Sequence, residues 1–131
     1  MLYIRMMIFG LSKILLLKLA KGQIGELNSY LLGLIMVSKI YMATMARAGS
    51  ANLDSLPPFY LYIDEFQNFT TKSIASMLSE ARKYKLNLII AHQFIKQIQD
   101  ESIRDAIFGN AGTFVTFRVG VEDAEFLEKI Y

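Results

Sequence analysis

The sequence predicts an α/β fold, a mainly parallel sheet flanked by helices, from three observations. Short apolar runs recur along the chain, segments of helical period separate them, and the most apolar run ends on two adjacent acids, as in "FYLYIDEF". Four runs read as strands: "KILLLKL" (13–19), "FYLYI" (59–63), "LNLIIA" (86–91) and "TFVTFRV" (113–119). They are five to seven residues long and continuously apolar or β-branched, which suits strands covered on both faces between helix layers.

The helices follow in order. Residues 27–47 are apolar almost all the way round, as in a helix pressed between neighbours. "NLDSLPP" (52–58) is a loop, because Pro57 and Pro58 stop any helix before the second run. In "TTKSIASMLSEARKY" a threonine cap precedes Ile74, Met77, Leu78 and Ala81 at amphipathic spacing, with Lys83 and Lys85 near the carboxyl end. "DESIRDAIFGN" runs from Asp100 as cap to Gly109 and Asn110 as stop, and "VEDAEFLEKIY" starts a last helix. Alternation of strand and helix implies right-handed crossovers in an α/β sandwich. The chain of 131 residues reads as a single partial domain, with residues 1–11 left unassigned.

An apolar content of 53% excludes a disordered tail. With a net charge of only +2, no nucleic-acid partner is announced by charge alone, although residues 1–50 carry six basic residues against the single acid Glu26. The absence of cysteine excludes disulfides and thiolate metal sites. Lysines 13, 18, 21 and 39 interrupt the apolar stretches of the first half, short of the ~20 uninterrupted residues of a membrane span. The same lysines, without a clean small-x-small cleavage site, argue against a signal peptide, so buried structure is expected.

Ligands of parallel α/β sheets sit beyond the carboxyl ends of the strands, where Asp64 and Glu65 fall. Adjacent residues of a strand point to different faces and can hold separate tasks. An apolar strand ending in Asp-Glu is the build of a Walker B element, in which Asp helps hold Mg²⁺ on a nucleotide and Glu orients the attacking water. A strand end surfacing among solvated acids has the same bare pattern. Gln93 ends the next strand, in "LNLIIAHQ", and places a neutral donor and acceptor at the same rim. His92 is the only histidine and has no second ligand beside it, so it reads as structural support.

The stretches "FYLYIDEFQNF", "LSEARKYKLNLIIAHQF" and "IRDAIFGNAGTFVTFRVGVEDAEFL", with the upstream "KILLLKLAKGQIGELNSYLLGLIMVSKIYMATMARA", resemble the C-terminal part of the motor domain in conjugative coupling proteins. These are the TraG/TraD/VirD4 type, within the HerA/FtsK branch of P-loop ATPases. The resemblance extends from about Ser12 onward. It implies a partial RecA-like fold and a hexameric, Mg²⁺-dependent ATPase that moves DNA in type IV secretion. ATP and Mg²⁺ would be the cofactors of the complete protein. DNA, a hexameric ring, and a relaxase or other secretion components would be its partners. Its place would be the cytoplasmic face of the bacterial inner membrane, reached through regions outside this chain.

By the same resemblance Asp64 belongs to the magnesium shell, Glu65 activates water, Gln93 senses the γ-phosphate, and Arg82 reaches a neighbouring subunit's nucleotide. Read from residues alone, Arg82 flanks an apolar stripe and equally suits a solvated surface. The sequence departs from the family in one respect: it has no Gly-Lys pair and hence no phosphate-cradling G-x-x-x-x-G-K-[ST] loop. "KGQIGELNS" reads instead as a connecting loop. The P-loop strand, expected between 86–91 and 113–119, is therefore missing from the fold this chain specifies. A HerA-like helicase or secretion ATPase of the same superfamily shares this chemistry. A non-catalytic remnant or interaction module shares only the surface.

Overall fold

Two parallel strands and the helices packed on one of their faces form the centre of the protein, as seen in a computed structural model that describes residues 14–129. In chain order the elements are α1 (Lys21–Ile24), α2 (Glu26–Met45), β1 (Phe59–Ile63), α3 (Lys72–Glu80), β2 (Leu86–Ile90), α4 (Glu101–Asn110) and α5 (Val121–Glu128). Short 3₁₀ turns join several of them. Lys13, the unassigned stretch 1–11 and the last two residues of the final predicted helix lie outside the described residues.

The strands pair in parallel, with Phe59 opposite Leu86 and Ile63 opposite Ile90. On β1, Phe59, Leu61 and Ile63 turn toward the helices, whereas Tyr60 and Tyr62 remain exposed. The period of two along a strand explains this alternation. It corrects the expectation of strands covered on both faces: among the described residues the sheet is covered on one face only.

Two of the four expected strands are not strands. The described part of 13–19, residues 14–19, and residues 113–119 form no ladder. Apolar, β-branched sequence gives a segment the capacity to be a strand, but a strand exists only where a neighbour takes its N–H and C=O groups. Here 113–119 is tied down by a ring instead: Phe114 stacks on Phe108 of α4 at 5.4 Å between centroids. Phe126 of α5 tilts onto the same Phe108 at 5.0 Å. Val115 and Phe117 are exposed.

The core has two joined parts. Ile63, Phe66, Ile74, Ile98, Ile103 and Ile107 form one, where β1, α3 and α4 meet. Ile40, Met77, Ala81 and Leu86 form the other, where α2 and α3 cover the start of β2. Val37 and Leu61 touch both. Each fully buried isoleucine or methionine stabilises by about 1.5–3 kcal/mol through removal from water.

Helix α2 packs through one stripe, Gly33, Val37, Ile40 and Thr44, at spacings of four, three and four residues. The Thr44 hydroxyl returns to the Ile40 carbonyl at 2.8 Å, which hides its polarity inside the packed face. Arg47 continues the stripe just beyond the helix. Only 6% exposed, it donates to the carbonyls of Pro57 and Tyr84, each at 3.2 Å. Burial pulls its guanidinium below the ordinary arginine value. The outward face of α2 is apolar as well, with Leu27, Leu31, Ile35 and Met42 exposed. Together with the turn that follows, Glu26–Gly49 is the one described segment long and apolar enough to cross a membrane by length and composition. The lysine interruptions counted in the sequence therefore do not exclude it on that test. The packed stripe and buried Arg47 are those of a helix laid on a sheet.

The helix ends agree in part with expectation. Asp100 caps α4 by accepting from the Ser102 N–H at 2.9 Å and the Ser102 hydroxyl at 2.6 Å. Thr71 holds the cap position of α3, but its side chain makes no capping hydrogen bond; its carbonyl accepts from the Ile74 N–H instead. "KGQIGELNS" is not a plain loop, because Lys21–Ile24 makes a helical turn before Gly25, at φ 83°, redirects the chain into α2.

Three outcomes test this packing in the intact protein. A Cβ on Gly33 would lie 2.1 Å from the Phe69 ring, so Gly33→Ala should destabilise by about 1–3 kcal/mol although alanine favours helix. Chemical unfolding reads the shift in midpoint. Arg47→Met should cost a similar amount, about 1–3 kcal/mol, by stranding two carbonyls, measured the same way. The Ser102 hydrogen bond holds the Asp100 carboxyl below its ordinary value. A depressed folded-state value contributes stability above the unfolded value and loses it as pH falls through the folded one. Asp100→Ala should therefore destabilise at neutral pH, with the deficit closing as the solution is acidified beyond the usual carboxylate range.

Candidate functional site at the strand ends

The carboxyl ends of β1 and β2 lie side by side because the strands are parallel and in register. The Ala91 N–H donates to Ile63 O, and the Phe66 N–H donates to Ala91 O, both at 2.9 Å. Asp64 and Glu65 fall between those two bonds, so the backbone loops them outward while the ladder closes beneath them. Phe66, 1% exposed, plugs the core directly after the loop.

Glu65 takes the left-handed conformation, φ 51° and ψ 44°, which is uncommon for a side chain with a Cβ. Its N–H donates to Asp64 Oδ1 at 2.9 Å. The reversal sends the Glu65 carboxylate across to the next strand, where Gln93 Nε2 donates to Oε1 at 2.6 Å. Gln67 Nε2 donates to Oε2 at 2.5 Å. Asp64 is exposed, and Glu65 is partly buried.

Of the residues singled out in the sequence, Asp64, Glu65 and Gln93 are thus brought to one rim. Arg82 is not. It stands exposed in the turn before β2, at the opposite end of the sheet, with the five-residue strand and its flanks between it and Gln93. At ~3.3 Å per residue this separation is on the order of 20 Å. His92 is partly buried, and its Nδ1 has no hydrogen-bond partner among the described residues. No cluster of three metal-ligating side chains occurs among the described residues.

Sequence reasoning missed Gln67, although an amide two positions after an acid pair was a usable signal. It also missed Asp123. That residue is 5% exposed in the first turn of α5, and its Oδ2 accepts from the Ile95 N–H at 3.3 Å, fixing the segment just beyond Gln93. A polar hollow of about 610 Å³ lies beside Gln67, bordered also by Asn68, Thr71, Lys72, Gln97 and Asp100. Asp64, Glu65 and Gln93 are not among its lining residues and stand on the open rim.

Fold and site together define a class: an α/β unit built on parallel strands, whose adjacent strand ends join an acid pair to an amide. Residues 58–130 match the family model described as the TraM recognition site of TraD and TraG. The match takes in both strands, the acid pair, Gln93 and α3 to α5, more than half of the chain. The chain belongs to the TraG/TraD family of conjugative coupling proteins, as a C-terminal part, and its role is in conjugative coupling. No curated protein and no solved structure gives a match.

Proposed function

We propose that this chain supplies the Walker B half of a RecA-like ATPase domain in a hexameric, DNA-translocating coupling protein. One observation carries the reading: Glu65, in a left-handed turn at the end of β1, is joined to Gln93, three residues beyond β2, within the region matched to the family. Non-glycine residues held in sparsely populated backbone regions cluster at functional sites, and this one turns a carboxylate toward a neighbouring strand.

The donor set suits magnesium bound to a nucleotide. Mg²⁺ takes hard oxygens, keeps several waters and needs only one or two carboxylates besides the phosphates. Asp64 offers such a carboxylate, exposed at the rim. MgATP would supply the transferable phosphoryl group and the positive charge that offsets this acid pair. Glu65 accepts a proton or orients a water, and Gln93, bonded to Glu65, can relay the state of the rim to β2. Arg82, at the far end of the sheet, suits a role in trans on a neighbouring subunit's nucleotide, because it cannot reach the site of its own chain. The phosphate loop would come from elsewhere in the complete protein, at the cytoplasmic face of the inner membrane. DNA, a relaxase and, from the family's description, TraM are its proposed partners.

In the intact protein, Glu65→Gln should leave nucleotide binding within a few-fold and reduce ATP turnover by about 10²-fold or more; unchanged turnover rejects the reading. Doping Arg82→Ala subunits into wild-type hexamers should lower activity more steeply than the mutant fraction. A strictly proportional loss rejects the role in trans. The 131 residues expressed alone should neither bind ATP tightly nor hydrolyse it, as read by calorimetry and phosphate release.

A further inference from the structure

We propose that Gln67 is a positioning residue, which with Gln93 fixes the orientation of the Glu65 carboxylate by donating one hydrogen bond to each oxygen. The inference rests on the reading of Glu65 as the carboxylate that activates water. Its basis is the pair of contacts, 2.5 Å from Gln67 Nε2 to Oε2 and 2.6 Å from Gln93 Nε2 to Oε1. They come from separate segments, the 3₁₀ turn after β1 and the stretch that follows β2, so the carboxylate is held from two sides.

An ionised carboxylate has about four acceptor sites. Two donors on different oxygens leave one lone pair on each, so the group is oriented without being filled. Neither donor carries charge, so neither neutralises the acid as lysine or arginine would.

Gln67 is itself well anchored. Phe66 on one side is buried in the core, and Phe69, at the other end of the turn, lies against Gly33 of α2. The Thr70 hydroxyl donates to the Gln67 carbonyl at 3.3 Å. The direction of the amide is set by chemistry, since only its NH₂ can face a carboxylate. As a result Oε1 is left buried without a hydrogen-bond partner. Leaving a buried acceptor unpaired is unfavourable, and the arrangement persists because the donor end is committed to Glu65.

The test uses the intact protein and two near-isosteric variants. Gln67→Met keeps the length and removes the donor, and Gln67→Glu replaces the donor with a repelling acceptor. In nucleotide-free crystals of Gln67→Met, the Glu65 carboxylate should rotate away from Gln93. In solution, kcat for ATP should fall by roughly 10–100-fold, as expected for a displaced reacting group, with KM within about two-fold of wild type. Gln67→Glu should fall at least as far, and a residue that merely fills space would tolerate both changes. Wild-type kcat in Gln67→Met, or a Glu65 carboxylate that stays on Gln93, overturns the proposal while Glu65→Gln remains inactive. Full turnover in Glu65→Gln overturns the motor reading, and the positioning role with it.

Discussion

The hydrogen bond from the Phe66 N–H to the Ala91 carbonyl is the constraint on which the rest of the rim depends. It resumes the β1–β2 ladder after two residues have been left out of it, and those two are Asp64 and Glu65. The loop is unfavourable in itself, because a left-handed residue with a Cβ costs roughly 1–2 kcal/mol. Burial of Phe66 offsets a strain of that size, since a fully buried phenylalanine contributes about 1.5–3 kcal/mol. The aromatic residue after the acids is therefore the physical reason the acids can stand where they do.

The strand pair is held differently at its two ends. At the carboxyl end, side chains converge from loops: Glu65, Gln67 and Gln93 meet, and Asp123 reaches over from α5 to the backbone just beyond. At the amino end, one buried arginine ties the approach to β1 and the turn before β2 to the end of α2. At the opposite rim, among the described residues, no ion pair holds Asp64 or Glu65. Arg82 lies at the amino end too, exposed, where Arg47 already performs the internal task.

What the sequence made legible follows from how local each signal is. Asp100 could be read as a cap because the partner is two residues away, and β1 and β2 could be read because Pro57, Pro58 and the acid pair bracket the first of them. Residues 14–19 and 113–119 carry the same apolar signature without forming strands, since hydrophobicity reports a capacity for burial and says nothing about which backbone lies alongside. Asp64, Glu65 and Gln93 were legible as a rim because parallel register alone brings them together. Gln67 and Arg47 were not, because their positions depend on a left-handed turn at Glu65 and on the path of a loop, and neither leaves a periodic trace.

The uncovered surfaces point the same way as the site. Among the described residues Tyr60 and Tyr62 stand on a sheet face with no helix over it, and 113–119 is held by the Phe108–Phe114 stack without a ladder. On the outward side of α2, Leu27 and Ile35 are exposed at 68% and 53%. Exposed apolar surface of this extent ordinarily marks an interface. If the proposed phosphate-loop strand lay beside β2 in the complete protein, it would offer 113–119 a ladder partner and bring its own helix toward the bare sheet face. The same addition would set phosphate-binding backbone next to Glu65 and Gln93. One missing layer would then account both for the bare sheet face of Tyr60 and Tyr62 and for an acid pair with no phosphate loop beside it.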